Sequence, residues 1–138
     1  MLTINFNAGI EVTDELEQAV EAYINENMGG TDWYDVHNED SRMDATREYI
    51  EENAWAFNAW FIANHASEGV TTDVIEILQE KCEGANEAIL QLIEGGSGLD
   101  EFVENAVNFD GCGHFLSEYD GQEHEIEIDG EVYYIYAN

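Results

Sequence analysis

The sequence predicts an α+β fold, with about four helices followed by a small C-terminal three-stranded antiparallel β-meander. Residues 13–107 carry apolar side chains at three- and four-residue spacing, which is typical of amphipathic helices. Residues 114–137 instead alternate apolar and polar side chains around two Asp-Gly pairs, the strongest short-range hairpin signal. We expect a single domain of 138 residues, because typical domains contain about 100–150 residues.

The first half of the chain begins with an alternating segment at residues 2–6, which predicts a short N-terminal strand joined to the sheet. Thr13 is the expected N-cap of a first helix that runs to about residue 27 and stops at two glycines. Residues 31–40 are polar and acidic, and we expect a loop there.

Three further helices are predicted, at residues 41–65, at residues 73–94 with Gly84 as a point of interruption, and at residues 97–107. Three strands complete the pattern. They are expected at residues 115–119, 123–128 and 132–136, joined by the Asp-Gly pairs.

The second predicted helix is apolar nearly all round in its second half, where Trp55 and Ile62 lie on the side that is acidic earlier in the helix. Such a helix is either central to the core or shared with a second subunit. The second alternative predicts a homodimer with Trp55 and Ile62 in its contact.

The charge balance excludes several classes of function. The chain contains thirty-two acidic residues and only three basic ones, Arg42, Arg47 and Lys81, which gives a formal net charge of −29. Because so few cations cannot form a basic patch, we expect neither direct nucleic-acid binding nor binding to an anionic membrane. The sequence shows no membrane-length apolar run, and we expect no signal peptide, because residues 1–6 have no basic flank. Cys82 and Cys112 are too few for a disulfide scaffold. A cytoplasmic protein is expected, in the host cell if it is phage-encoded.

Catalytic and metal-binding motifs are weak. The sequence contains no glycine-rich phosphate loop, no His-Glu-x-x-His zinc motif and no EF-hand calcium loop. Cys112 and His114 resemble a nucleophile and its base, but a glycine-rich turn that enters a strand explains them better. His124 is better explained as an inward-facing hairpin residue than as a metal ligand. We therefore expect no catalytic residue, metal or cofactor.

Acidic residues recur at helical spacing and form eleven like-charge pairs within the predicted helices. Each pair costs roughly 0.2–0.5 kcal/mol, a large sacrifice against a total stability of about 5–15 kcal/mol. Two hypotheses explain it: adaptation to high salt, or a partner that binds anionic polymers. A third class, another acidic interaction module or a small hydrolase, stays open. The candidate phosphate-mimicking residues are Asp14, Glu17, Glu21, Asp44, Glu48, Glu51, Glu76, Glu80, Glu83 and Glu87.

A short segment carries a family resemblance. Residues 66–69 read Ala-Ser-Glu-Gly, and residues 73–79 read Asp-Val-Ile-Glu-Ile-Leu-Gln, after a helical Glu-Asn-Ala at residues 52–54. This stretch of about 30 residues resembles the Ocr-type phage antirestriction DNA-mimic family. The resemblance implies an acidic homodimer that imitates bent B-form DNA and blocks type I restriction enzymes without catalysis. The partner would be a bacterial DNA-binding protein or nuclease complex with a basic cleft, and CRISPR effectors and other defence enzymes are alternative targets.

Overall fold

The computed structural model describes residues 2–138, and these residues divide into two compact units. The first unit ends at Thr46 and resumes at Gly111, whereas the second comprises Arg47–Asp110. The described residues form seven α-helices and a four-stranded mixed sheet, so the predicted four helices and three-stranded antiparallel meander are wrong.

The sheet lies in the first unit, and its strands are β1 Thr3–Phe6, β2 Trp33–His37, β3 His124–Ile128 and β4 Glu131–Ala137. Their order is β1-β2-β4-β3, with β1 and β2 parallel and the other neighbours antiparallel. A parallel pair needs a long crossover, and helix α1, Asp14–Asn27, supplies it between β1 and β2. The N-terminal segment is therefore a strand, but it pairs with a strand that was not predicted.

Helix α1 packs in the first unit as its sequence pattern predicts. Thr13 is the N-cap, and its hydroxyl accepts a hydrogen bond from the Leu16 backbone N–H at 3.1 Å. Burial of each large aliphatic side chain contributes roughly 1.5–3 kcal/mol, so the apolar face of α1 fixes this helix in the unit. The core residues, each exposed by 3% or less, are Leu16, Val20, Ile24, Tyr34, Val36, Ile135 and Ala137.

Strand β2 replaces the loop that was predicted for residues 31–40. Tyr34 and Val36 are fully buried, whereas Trp33 is exposed and Asp35 is half-buried. This alternation is the period of a strand. Four acidic residues lie within residues 31–40, and because of them the sequence favoured a polar loop over a strand.

Helix α7, Cys112–Leu116, occupies the place of the strand predicted at residues 115–119. Gly113 is buried, and a Cβ atom there would lie 2.7 Å from the backbone oxygen of Gly121. Glycine permits this close approach between α7 and the segment that follows it. Because no strand precedes it, the hairpin predicted at residues 120–121 is wrong.

The second predicted hairpin is confirmed. Asp129 and Gly130 have φ angles of 52° and 83°, and two positive φ angles are the signature of a two-residue type I′ turn. The turn joins β3 to β4, with Ile128 opposite Glu131 in the register.

Helices form the second unit. They are α2 Glu39–Glu52, which begins in the first unit, α3 Ala59–His65, α4 Thr72–Gln79, α5 Asn86–Gly95 and α6 Leu99–Asp110. Their inward faces enclose a separate core, and its buried residues are Ala54, Ile62, Ile75, Ala85, Ile89, Ile93 and Phe102.

The helix predicted at residues 41–65 is divided into α2, a short 3-10 helix at Ala54–Ala56, and α3. Asn86 holds this break from a distant part of the sequence. Its side-chain nitrogen donates to the Glu51 carbonyl at 2.8 Å, and its side-chain oxygen accepts from the Trp55 N–H at 3.0 Å. Backbone groups that the break removes from the helix are therefore satisfied by a side chain.

Gln79 and Asn58 complete the same break. The side-chain nitrogen of Gln79 donates to the carbonyls of Trp55 and Phe57 at 2.9 and 2.7 Å. Asn58 caps α3, because its side-chain oxygen accepts from the Trp60 N–H at 2.9 Å. Periodicity alone cannot reveal contacts of this kind, so it predicted one long helix.

The helix predicted at residues 73–94 is also divided, into α4, a 3-10 helix at Cys82–Ala85, and α5. Cys82 has a φ of 52°, which is uncommon for a residue other than glycine. The expected interruption at Gly84 lies within this segment. The fourth predicted helix, residues 97–107, corresponds to α6.

Replacing Asn86 by alanine should lower the free energy of unfolding by about 2 kcal/mol, because backbone groups of Glu51 and Trp55 lose their partners. Chemical denaturation followed by circular dichroism measures this change. The matched control is Asn64→Ala on the exposed side of α3, which should change the free energy by less than about 0.5 kcal/mol. Equal losses in the two variants would show that the Asn86 amide does not hold the break.

Candidate functional site

Nearly every carboxylate of the chain lies on the surface. Of the 32 Asp and Glu side chains, 30 are exposed, and only Asp35 and Glu51 are half-buried. The first unit holds 18 of them with Arg42, and the second holds 14 with Arg47 and Lys81. The units therefore carry formal charges of −17 and −12, and each is an acidic surface by itself.

Helix α1 presents the most regular part of this surface. Asp14, Glu17 and Glu21 are exposed and lie within roughly 60° of one another around the helix, beside its buried apolar stripe. Glu15 and Glu26 are exposed as well, and α1 contains no cation. These acids lie on a helix, as their spacing predicts, and the apolar face of α1 holds this backbone against the sheet core.

The acids of α2 are less uniform. Asp44 and Glu48 are exposed, but the carboxylate of half-buried Glu51 accepts a hydrogen bond from Arg47 Nε at 2.8 Å. Arg47 also binds Asp100 through Nη1. Glu51 therefore presents less uncompensated charge than the other nine candidate residues.

The acidic stripe predicted along one helix from Glu76 to Glu87 does not lie on one helix. Glu76 lies in α4, Glu80 is its C-cap, Glu83 lies in the 3-10 helix, and Glu87 lies in the first turn of α5. All four are exposed. The 3-10 helix at Cys82–Ala85 separates α4 from α5, so the four carboxylates do not follow one helical axis, although all of them stay on the surface.

The β3–β4 hairpin adds acids that the site prediction left out. Glu125 and Glu127 of β3 are exposed, whereas His124, Ile126 and Ile128 are half-buried. The alternation in the sequence had already separated these two faces. It was the signal that could have included the hairpin in the candidate surface.

Arg42 forms a polar network that sequence analysis did not predict. Its Nη2 donates to Glu39 at 2.8 Å and its Nη1 to Glu123 at 3.0 Å, while the guanidinium carbon lies 3.9 Å from the ring centroid of Tyr134. The Tyr134 hydroxyl donates to Glu39 at 2.7 Å, and the Tyr136 hydroxyl donates to Glu123. One cation thus binds two carboxylates and an aromatic face.

The pKa shifts in this network keep the two tyrosine hydroxyls protonated and keep Glu39 and Arg42 charged. The hydrogen bond to Glu39, followed by burial, raises the pKa of Tyr134 to about 12. Burial and the bond to Glu123 raise the pKa of Tyr136 as well. The bonds from Tyr134 and Arg42 lower the pKa of Glu39. Burial lowers the pKa of Arg42, but its bonds to Glu39 and Glu123 outweigh burial, so the pKa is raised. The network is suited to stabilise the fold, since its phenols stay protonated and its charges are paired.

His37 lies beside this network, with its ring 5.6 Å from that of Tyr136. Its Nε2 lies 3.0 Å from the Asn7 side-chain nitrogen, and its Nδ1 lies 3.2 Å from the Ser41 hydroxyl. An amide nitrogen only donates, so Nε2 accepts and the ring is neutral. Burial lowers the pKa of His37 accordingly.

The candidate reactive residues are not brought together. Cys112 is buried in the first turn of α7, whereas His114 is exposed and contacts the ring of Phe115. Residues two apart on a helix do not face each other. His124 is half-buried, and its Nδ1 lies 3.2 Å from the Tyr23 hydroxyl. Within residues 2–138, no group of three or more His, Cys, Asp and Glu side chains is placed to hold a metal ion.

Trp55 and Ile62 belong to the core region of the second unit. Ile62 is fully buried, and Trp55 is half-buried against the same core. Because the helix is broken between them, they do not form a stripe on one helix. Ile62 offers no surface to a second subunit, and the homodimer stays a prediction.

Across residues 2–138, every helix is too short or too polar to cross a membrane. Comparisons with protein families, with curated proteins and with solved structures find no match to this chain.

Because the pKa of His37 is lowered on folding, the folded state favours the neutral ring. The contribution of neutral His37 to the free energy of unfolding is fully present above the unfolded pKa of about 6.5, and it is lost as the pH falls below that value. The difference in unfolding free energy between wild type and His37→Gln should therefore shrink between pH 7.5 and pH 5.5. Urea denaturation at both values measures it, with exposed His114→Gln as the control. A difference independent of pH would contradict the assignment.

Proposed function

We propose that this protein inhibits a bacterial DNA-binding defence enzyme by occupying its DNA-binding cleft, with a type I restriction-modification enzyme as the favoured target. One observation carries the proposal: 30 of 32 carboxylates are exposed, and most lie on regular elements with almost no cations between them. Solubility alone does not account for this pattern, because soluble surfaces normally intersperse both charges.

The charge density of α1 is close to that of a DNA strand. A helix of 14 residues is about 21 Å long. Its five acids, Asp14, Glu15, Glu17, Glu21 and Glu26, give one carboxylate per roughly 4 Å of axis, against one phosphate per roughly 3.4 Å along a DNA strand. Asp14, Glu17 and Glu21 lie within roughly 60° of one another around the helix, so a basic cleft shaped for phosphates would meet these three as one row, spaced roughly 5 Å apart along the axis.

The acids are also held in place. The apolar face of α1 is buried in the sheet core, and β3 is fixed by its ladder with β4. Carboxylates on such elements keep their spacing without a large cost in chain entropy on binding. An acidic disordered tail would not.

The total charge supports fast association. A net charge of −29 matches the charge of roughly 50 Å of duplex DNA. Such a field steers the protein toward a cationic cleft and raises the association rate at low salt.

The resemblance of the stretch from residue 52 to residue 79 to the Ocr-type family favours type I restriction enzymes as the target class. CRISPR effectors and other DNA-binding defence enzymes carry basic DNA clefts too, and they are the alternative targets. The proposal assigns no catalytic residue, because inhibition by occupancy needs none.

Competition with DNA is the first test. The protein should raise the apparent Kd of a type I restriction enzyme for a duplex that contains its recognition site, and excess duplex should reverse the inhibition. Its own binding to the enzyme should weaken steeply between 50 and 500 mM NaCl, because the contact is electrostatic. Fluorescence anisotropy of labelled duplex measures the competition, and isothermal titration calorimetry of the protein with the enzyme measures the salt dependence.

Two controls accompany this test. Circular dichroism in dilute buffer should show a cooperative thermal transition, whereas adaptation to high salt would require molar salt for folding. Inhibition that excess duplex leaves unchanged would overturn the proposal.

Neutral variants test the α1 surface directly. The triple change Asp14→Asn, Glu17→Gln and Glu21→Gln removes three exposed charges. At roughly 0.5 kcal/mol per exposed ion pair, it should weaken binding to the enzyme about tenfold. Isothermal titration calorimetry measures the change.

The matched control removes three exposed charges outside the candidate surface, by Glu68→Gln, Glu101→Gln and Glu104→Gln. We expect a loss of less than about threefold, the residual effect of net charge. Equal losses in both variants would show that net charge, and not the face of α1, governs binding.

A further inference from the structure

An aromatic groove of about 480 Å3 lies in the second unit, and none of its lining residues is among the acids assigned to DNA mimicry. Two of its walls are unusually exposed for large apolar side chains: Trp60 by 64% and Phe109 by 76%. Exposed aromatic rings that border a concave surface are typical of binding sites. The lining residues are Phe57, Asn58, Trp60, Phe61, Phe109 and Asp110.

The groove is held in its shape by the core beneath it. The rings of Phe57 and Phe61 each lie 5.1 Å from that of Phe102, which is fully buried. Phe109 meets Phe61 edge to face at 5.9 Å. The Asn58 cap fixes the backbone of the first turn of α3, which carries Trp60. A ligand would find the rings of Phe57, Phe61 and Phe109 already placed, which lowers the entropic cost of binding.

One end of the groove is negative. Asp110 is the last residue of α6, and the last turn of this helix contains no basic residue. The C-terminus of a helix carries a partial negative charge, so a carboxylate there is unfavourably placed. Among the described residues Asp110 forms no ion pair, and Arg42 and Arg47 are each bound to other carboxylates.

We infer that this groove takes an arginine side chain from the protein partner, stacked between Trp60 and Phe109 with its guanidinium toward Asp110. A guanidinium is planar, stacks on aromatic faces and binds carboxylates with two hydrogen bonds. Lysine offers no planar face for stacking. The choice of partner rests on the proposed function, since a cleft that binds DNA neutralises phosphates with arginine and lysine side chains.

Charge disfavours other occupants. A nucleic acid and an anionic membrane would both bring negative charge to a unit of formal charge −12. A second copy of this chain would bring another −29. A cationic side chain instead relieves the repulsion between Asp110 and its own helix terminus.

The test uses N-acetyl-arginine amide as the probe, at 150 mM NaCl and followed by the indole N–H signals in NMR spectra. The Trp60 signal should shift and saturate, while the signal of Trp33, which is 50% exposed in the first unit, should stay in place. N-acetyl-citrulline amide has nearly the same shape without the charge and should bind at least fivefold more weakly. N-acetyl-lysine amide keeps the charge without the planar group and should also bind more weakly.

Variants at exposed positions locate the binding. Asp110→Asn should reduce the arginine affinity to that of citrulline, and Phe109→Ala should abolish saturation. The matched control is Glu104→Gln, which removes one exposed charge from the same helix outside the groove. It should leave the arginine affinity unchanged.

Three results would overturn the inference: equal binding of citrulline, equal shifts at Trp33, or a Trp60 signal that changes on tenfold dilution because a second copy covers the groove. Failure of the probe would leave competition with DNA intact. Inhibition without competition would instead overturn the proposed function and leave arginine binding to the groove standing.

Discussion

Uncompensated negative charge is the constraint on which the rest of this structure depends. With 30 exposed carboxylates and three cations, like-charge repulsion opposes compaction, and cohesion must come from apolar burial. Each unit accordingly has its own closed core. Each arginine binds one carboxylate that is close in sequence and one that is distant. Arg42 binds Glu39 and Glu123. Arg47 binds Glu51 and Asp100.

Neutral amides take over the tertiary links that ion pairs form in proteins of balanced charge. Asn86 and Gln79 bind the backbone at the break after α2. Asn105 contacts the buried ring of His65 at 2.8 Å, and Asn7 contacts His37 and the Val36 carbonyl. An amide satisfies a buried donor or acceptor without adding charge. The chain can thus keep its surface anionic while neutral amide side chains form the hydrogen bonds of its buried polar groups.

The features that could be predicted from the sequence are those decided by residues close together in the chain. The cap at Thr13, the inward face of α1 and the Asp129-Gly130 turn follow from residues close in sequence, and so does the exposure of the acids. The break held by Asn86 and the approach of Gly113 to Gly121 depend on residues brought together only by folding. Periodicity therefore joined α2 to α3 and α4 to α5, and it predicted a strand where α7 lies. The aromatic groove was missed for the same reason, since Trp60 and Phe109 are 49 positions apart.

Strand β3 is an edge of the sheet, so one side of its backbone has no partner strand within the described residues. Such edges invite strands of other molecules to add and to start aggregation. Exposed Glu125 and Glu127 place negative charge along this edge in every copy, so copies repel one another at neutral pH. That protection depends on ionisation and fades toward the isoelectric point near pH 4.1, where acidified solutions should turn cloudy through edge-to-edge association.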